Sequence, residues 1–424
     1  MQENSDKSDK KPILQVLKGG RLAPGEFNKL PLNDKLSYLR ERSSSEQFRL
    51  IVTDPDGLAL ARRFQPQELY WLVKDVGEED ALELLELSSA NQYAFFLDME
   101  CWNKWEFSLE NAIAWITFLM ELGEERVIEQ LRGMEPEFLL LVLMNEIQVG
   151  GGPGELMSDE ERTANWDHSF DNVYFITFVR KEHAKVIGQL LDIIFRNYQE
   201  LYLTLLEGVR SEIESELQED CYRLRSGRLA DLGFPEPEEA VAIYARITPE
   251  RFALAGDKSL VAGESLPSLP FAQGDDSLFL RCLRASNDER IYGELNYLLN
   301  KALIAEGEPP GDSDDLRAIF ERVHGYLNIA LEYLSKGDEQ LATELISKEY
   351  LQRLFQLGFS LVMRLRDRAT QLRSDAPAIG HLLSGLNAKR PKFYQGLDPL
   401  GIDGYREFRS LADIKTIEDL LNRI

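Results

Sequence analysis

Histidine and cysteine are scarce in this chain, with four and three among 424 residues. Cys101, Cys221 and Cys282 are odd in number and nowhere fall into CxxC spacing. Neither a disulfide framework nor a zinc site is therefore indicated, and a reducing cytoplasm fits best. His183, His324 and His381 stand apart without HxxxH or HExxH spacing, and only His168 has acidic neighbours, in Asp167-His168-Ser169-Phe170-Asp171. A metal centre or a triad needs ligands held at fixed geometry, and one histidine with two aspartates could contribute to either, but nothing else in the sequence supports it. Positive charge is also short. The 73 acidic residues against 48 basic ones give a net charge of −25, which repels a phosphate backbone and argues against nucleic-acid binding. Long hydrophobic runs are missing too. The uncharged stretches 111–120 and 138–145 are far shorter than the roughly 20 residues that cross a bilayer, so no membrane insertion is expected. The glycine run Gly150-Gly151-Gly152-Pro153-Gly154 has no lysine followed by Ser or Thr and follows a helical pattern, which fits neither a phosphate loop nor a dinucleotide fingerprint.

What is present is a repeat. Leu36, Leu82 and Ile128 recur at a spacing of 46 positions, as do Leu39, Leu85 and Leu131, then Leu50, Phe96 and Val142, and finally Ile51, Leu97 and Leu143. Gly77-Glu78-Glu79 is repeated as Gly123-Glu124-Glu125. A helix pair of roughly 40 to 47 residues is the period of stacked helical repeats, whose units bury their apolar faces against their neighbours. The expected architecture is mainly α: N-terminal stacked helix-hairpin repeats forming a superhelix, then a C-terminal helical bundle, with at most a short β-hairpin at Val173 to Phe178.

Along the chain, residues 1–22 read as a disordered tail and 23–149 as the helical-repeat domain. A glycine-rich linker is expected over 150–170, a long-helix central region over 171–255, and a second linker over 256–275. Residues 276–424 form the bundle with its basic tail. In the central region Ile187, Leu191, Ile194, Tyr198, Leu201, Leu205, Val209, Ile213 and Leu217 follow steps of three and four, which predicts one helix of roughly 45 Å. Glu212, Glu214, Glu216, Glu219 and Asp220 precede Arg223, Arg225 and Arg228, an order that suits the helix dipole. Further on, one helix is expected over 288–305, another from about 313 to Gly337, a third from about Asp338 to Arg373 and a last from Ser410 to Asn422.

Candidate binding residues come from charge and from tryptophan. Between Tyr350 and Arg409 ten basic and five acidic residues give +5, against −30 for the remainder. This segment either docks on the acidic body of its own chain or presents an anion or acidic-partner patch of Arg364, Arg368, Lys389, Arg390 and Lys392, since guanidinium forks bind carboxylate and phosphate. Trp102 and Trp105 sit outside the strongest periodicity and are candidate partner anchors. Glu78, Glu79, Asp80, Glu83, Glu124 and Glu125 offer the oxygen ligands that magnesium prefers, or are simply solvated acids at helix starts. No cofactor is expected.

The block around Leu72-Val73 to Leu85, and its partner Phe118 to Leu131, resembles the N-terminal superhelix of the MgtE magnesium transporter and the repeats of the flagellar motor switch protein FliG. That resemblance implies a curved helical stack used for docking or magnesium-dependent regulation. The chain as a whole resembles an uncharacterised bacterial domain-of-unknown-function family, through 228–234 (RLADLGF), 294–301 (ELNYLLNK) and 389–394 (KRPKFY). The expected function is a non-catalytic cytoplasmic protein–protein interaction or regulatory scaffold with an unknown protein partner. A magnesium- or anion-responsive sensor is the alternative. A third reading is an all-helical enzyme whose pocket gathers Arg223, Arg228, His168 or Asp231.

Overall fold

A computed structural model of the chain describes residues 22 and 24–424, except 41, 79, 154–165, 257, 259–275, 287, 308–312, 375 and 400. The expected tail, most of both expected linkers and Glu79 lie outside the described residues. The rest is mainly helical, with three two-stranded antiparallel sheets.

The 46-residue spacing lands on corresponding helices. The first matched leucines lie on Leu32–Arg40, Leu82–Leu87 and Glu124–Leu131, and the later ones on Ser44–Thr53, Ala90–Glu100 and Pro136–Glu146. Leu39, Leu85 and Leu131 are buried, as are Leu50, Phe96 and Val142 and the trio Ile51, Leu97 and Leu143. Besides this helix pair, the first span holds Gly57–Ala61 and Pro66–Val76, and the second holds Leu109–Glu121. The shared Gly-Glu has a structural cause: Gly77 and Gly123 both adopt positive φ, 104° and 93°, where a side chain would be strained. Helix starts follow the sequence signals. Pro66 and Pro136 occupy first turns, and Ser89 closes a capping box with Gln92.

Tyr174–Phe178 is a strand as expected, and its partner is Ile147–Gly151. Gly150 and Gly151 therefore begin the glycine run inside a sheet rather than a free connection, and a Cβ at Gly150 would strike the Trp166 ring. Two further pairs were not foreseen, Trp102–Asn103 with Glu106–Phe107 and Phe393–Tyr394 with Tyr405–Arg406.

The single long central helix is not what forms. The stretch divides into Ala184–Asn197, Gln199–Ser211 and Glu214–Asp231. At the first break Tyr198 leaves helical geometry, and its hydroxyl donates to the Ile128 carbonyl at 2.8 Å. At the second, Ile213 is 56% exposed, although a single stripe would bury it. The expected 338–373 helix also divides, into Glu339–Lys348 and Leu351–Ala369. Glu349, fully buried between them, accepts from the Ala255 and Tyr350 amides and from Arg353.

In the C-terminal part the helices Ser313–Ser335 and Leu351–Ala369 cross closely. A Cβ at Gly358 would sit 2.0 Å from the Tyr326 carbonyl oxygen. The N-terminal helices and this bundle share one core. Trp71 meets Phe320 edge-on at 5.3 Å, Gln67 donates to Asn300, and Arg317 pairs with Asp75 at 3.1 Å.

Candidate functional site

The residues singled out in the sequence do not converge. Arg364 pairs with Glu250 at 2.5 Å, Arg368 donates to Asn422, and Arg390 pairs with Glu306 while lying 4.6 Å from the Tyr244 ring centroid. Lys389 is exposed and Lys392 half-buried. Most guanidinium groups of this basic segment are thus spent on acids of the same chain, including Arg406 on Asp398 and Asp413. Of the enzyme candidates, Arg223 pairs with Asp220 at the surface and Asp231 is exposed. His168 bridges Ile176 through its backbone in a different region. Among the carboxylates considered for magnesium, Glu78 pairs with Lys74 and Glu124 with Arg196. Among the described residues no group of His, Cys, Asp and Glu is arranged to hold a metal.

Trp102 is buried, 3% exposed, because its ring packs on Phe107 and Tyr222, which corrects its reading as a partner anchor. Trp105 is 53% exposed on the turn of the same two-stranded unit.

That unit leads to the pocket. The helix Glu214–Asp231 buries Leu217, Cys221, Arg225 and Leu229, a spacing of four that keeps one face inward. Arg225 is carried into the interior by that register and is only 7% exposed. Its Nε donates to the Asp98 main-chain carbonyl at 2.7 Å, and its guanidinium lies 5.7 and 5.9 Å from the Trp102 and Tyr222 ring centroids. Asp98 does not neutralise it by contact. Both Asp98 oxygens accept from Arg228, at 2.7 and 2.8 Å, and Arg228 also pairs with Glu135. Burial pushes the Asp98 carboxyl up, against the pull of Arg228 and Arg225. Burial likewise weakens the hold of Arg225 on its proton.

This is unusual for the molecule. The other strongly buried arginine, Arg322, forms ion pairs with Glu306 and Glu407. No carboxylate lies within ion-pair distance of Arg225 among the described residues. A charge withdrawn from water without a counterion is costly.

A partly open cleft lies beside Arg225. Met99, Trp102, Leu229, Phe234, Leu303 and Ile304 form apolar walls. Lys104, Glu236, Tyr222 and Ser226 add polar groups. Lys104 is exposed and makes no ion pair among the described residues, and its stem lies over Gly307. That glycine ends the helix Glu289–Glu306 in the left-handed conformation, and a Cβ there would stand 2.5 Å from Lys104 Cε. Glu236 accepts from the Tyr222 hydroxyl at 2.7 Å. The pocket therefore joins the N-terminal helices, the central helix and the bundle. The four-residue spacing Leu217, Cys221, Arg225, Leu229 was the one sequence signal for it.

The same two-stranded unit borders a wider groove lined by Glu106, Ser108, Glu110, Arg180, Glu182 and His183. There Arg180 and His183 meet on one oxygen of the fully buried Glu146, at 2.7 and 3.0 Å.

A family model described as a family of unknown function (DUF6178) matches residues 24–424, and the chain belongs to that family. The whole-chain resemblance read from 228–234, 294–301 and 389–394 is thereby borne out. No curated protein and no solved structure matches the chain.

Proposed function

We propose that this member of a family of unknown function is a helical binding and regulatory protein whose pocket takes a small anion with an apolar body. One observation carries the reading: Arg225 is buried beside an open cleft with no carboxylate in contact among the described residues. A bound carboxylate or phosphate would supply the missing counterion through two charge-assisted hydrogen bonds, while the apolar walls take the rest of the ligand. Because the walls come from three parts of the chain, occupancy would stiffen their junction, which is the physical basis for a regulatory role.

The test is thermal unfolding of the full chain with hexanoate or with hexanol, which has a similar apolar body and no charge. Hexanoate should give a saturable rise in Tm that hexanol does not, and Arg225→Gln should abolish it. Equal responses of the wild type and the variant would overturn the reading.

A partner surface is the second reading, favoured by the exposed Trp105 ring, since tryptophan is enriched at binding hot spots. The helix stack carrying it would act as the scaffold. Affinity capture from native lysate should recover a stoichiometric partner that Trp105→Ala loses, and recovery unchanged by the substitution would exclude this surface. We place the protein in the cytoplasm, in keeping with three free, buried cysteines. Among the described residues no helix is long and apolar enough to cross a membrane. The net charge of −25 disfavours a nucleic-acid partner.

A further inference from the structure

Resting on the anion-pocket reading, we infer that the ligand is a free α-amino acid with an apolar side chain, its carboxylate on Arg225 and its ammonium on Glu236. The pocket offers three kinds of recognition together. Arg225 is the buried cation, and its planar fork matches a carboxylate. Glu236 lines the same pocket from the turn that follows the central helix. It is exposed, it pairs with no lysine or arginine among the described residues, and the Tyr222 hydroxyl fixes one of its oxygens at 2.7 Å. The other oxygen is left to accept from a ligand donor. In the same pocket, Trp102, Leu229, Phe234 and Leu303 present apolar surface.

A plain monocarboxylate would satisfy Arg225 and leave Glu236 facing an anionic ligand. A zwitterion satisfies both, and its neutrality suits a chain of net charge −25. A dicarboxylate would instead use Lys104 at the rim, and would gain nothing from Glu236.

Calorimetric titration of the full chain decides between these. L-Leucine is compared with 4-methylpentanoate, which is the same molecule without the ammonium group, with 3-methylbutylamine, which lacks the carboxylate, and with glutarate. Leucine should bind at least about tenfold more tightly than each of the others. In Glu236→Gln, a change at an exposed position, leucine and 4-methylpentanoate should come within about twofold of each other. If 4-methylpentanoate or glutarate matches leucine in the wild type, the amino-acid inference falls and the anion pocket stands. If no carboxylate binds at all, or if Arg225→Gln, checked for a cooperative melt, binds them as the wild type does, both fall.

Discussion

Asp98 is gripped by two arginines in different ways, and their removal should have unlike costs. Arg228 makes two charge-assisted bonds to the carboxylate, whose side chain is 6% exposed. Arg228→Met leaves that carboxylate buried without a hydrogen-bonded cation. Breaking a buried pair costs about 3 to 5 kcal/mol, and the partial exposure of Arg228 places the expected loss near about 3 kcal/mol. Arg225→Met removes one bond to the Asp98 carbonyl, at a cost of about 1 kcal/mol. It also lifts the burial penalty of an uncompensated guanidinium, which is of several kcal/mol, and the methionine chain keeps most of the volume. The net change should run from zero to a stabilisation of about 1 to 4 kcal/mol. Urea unfolding followed by circular dichroism reads both variants, through the midpoint at constant slope. Equal destabilisation by the two substitutions would refute the reasoning, because it would mean that Arg225 is neutralised within the fold.

Other consequences follow from the same contacts. Gly358→Ala should destabilise the bundle by about 3 kcal/mol, since the new Cβ meets the Tyr326 carbonyl at 2.0 Å, and an unchanged Tm would contradict the helix crossing. Burial pushes the Cys221 thiol up to about 12 and raises Cys101 and Cys282 as well. A thiol-specific disulfide reagent at about pH 8 should therefore label none of them until the chain is unfolded, and rapid labelling of the native protein would count against their burial. Hydrogen bonds from Arg406 hold the Asp398 carboxyl below its ordinary range. Its folded pKa is depressed, so its contribution to stability is present above the unfolded value of about 4 and is lost as pH falls below it through the folded one. Arg406→Met should flatten the fall of Tm in that window, and an unaltered acid slope would exclude the pair as its cause.

Much of the fold was legible because local chemistry marked it. Asp288, Asp338 and Ser410 cap their helices as their positions suggest, and Gly307 ends one. The helix breaks at Tyr198, Ile213 and Glu349 carry no proline or glycine at the break itself. Those at Tyr198 and Glu349 coincide with tertiary hydrogen bonds, Tyr198 to the Ile128 carbonyl and Ala255 to Glu349, between residues far apart in sequence. Periodicity ran on through those breaks because each shorter helix buries its own stripe. Tryptophan counting placed Trp102 and Trp105 correctly on a junction, but only packing separates the buried ring from the exposed one. The pocket was least visible. Its groups run from Met99 to Gly307, and Arg225 reads in sequence as one more base following acids, a pattern that helix stabilisation already explains. Its depth comes from sharing a face with Leu217, Cys221 and Leu229.

The central claim is that Arg225 waits for an external anion. A crystal structure of the protein grown with hexanoate tests it most directly. We expect the carboxylate to lie about 3 Å from the Arg225 terminal nitrogens, with its alkyl chain against Trp102 and Leu229. A pocket without hexanoate, or those nitrogens paired with a carboxylate of the protein itself, would contradict it.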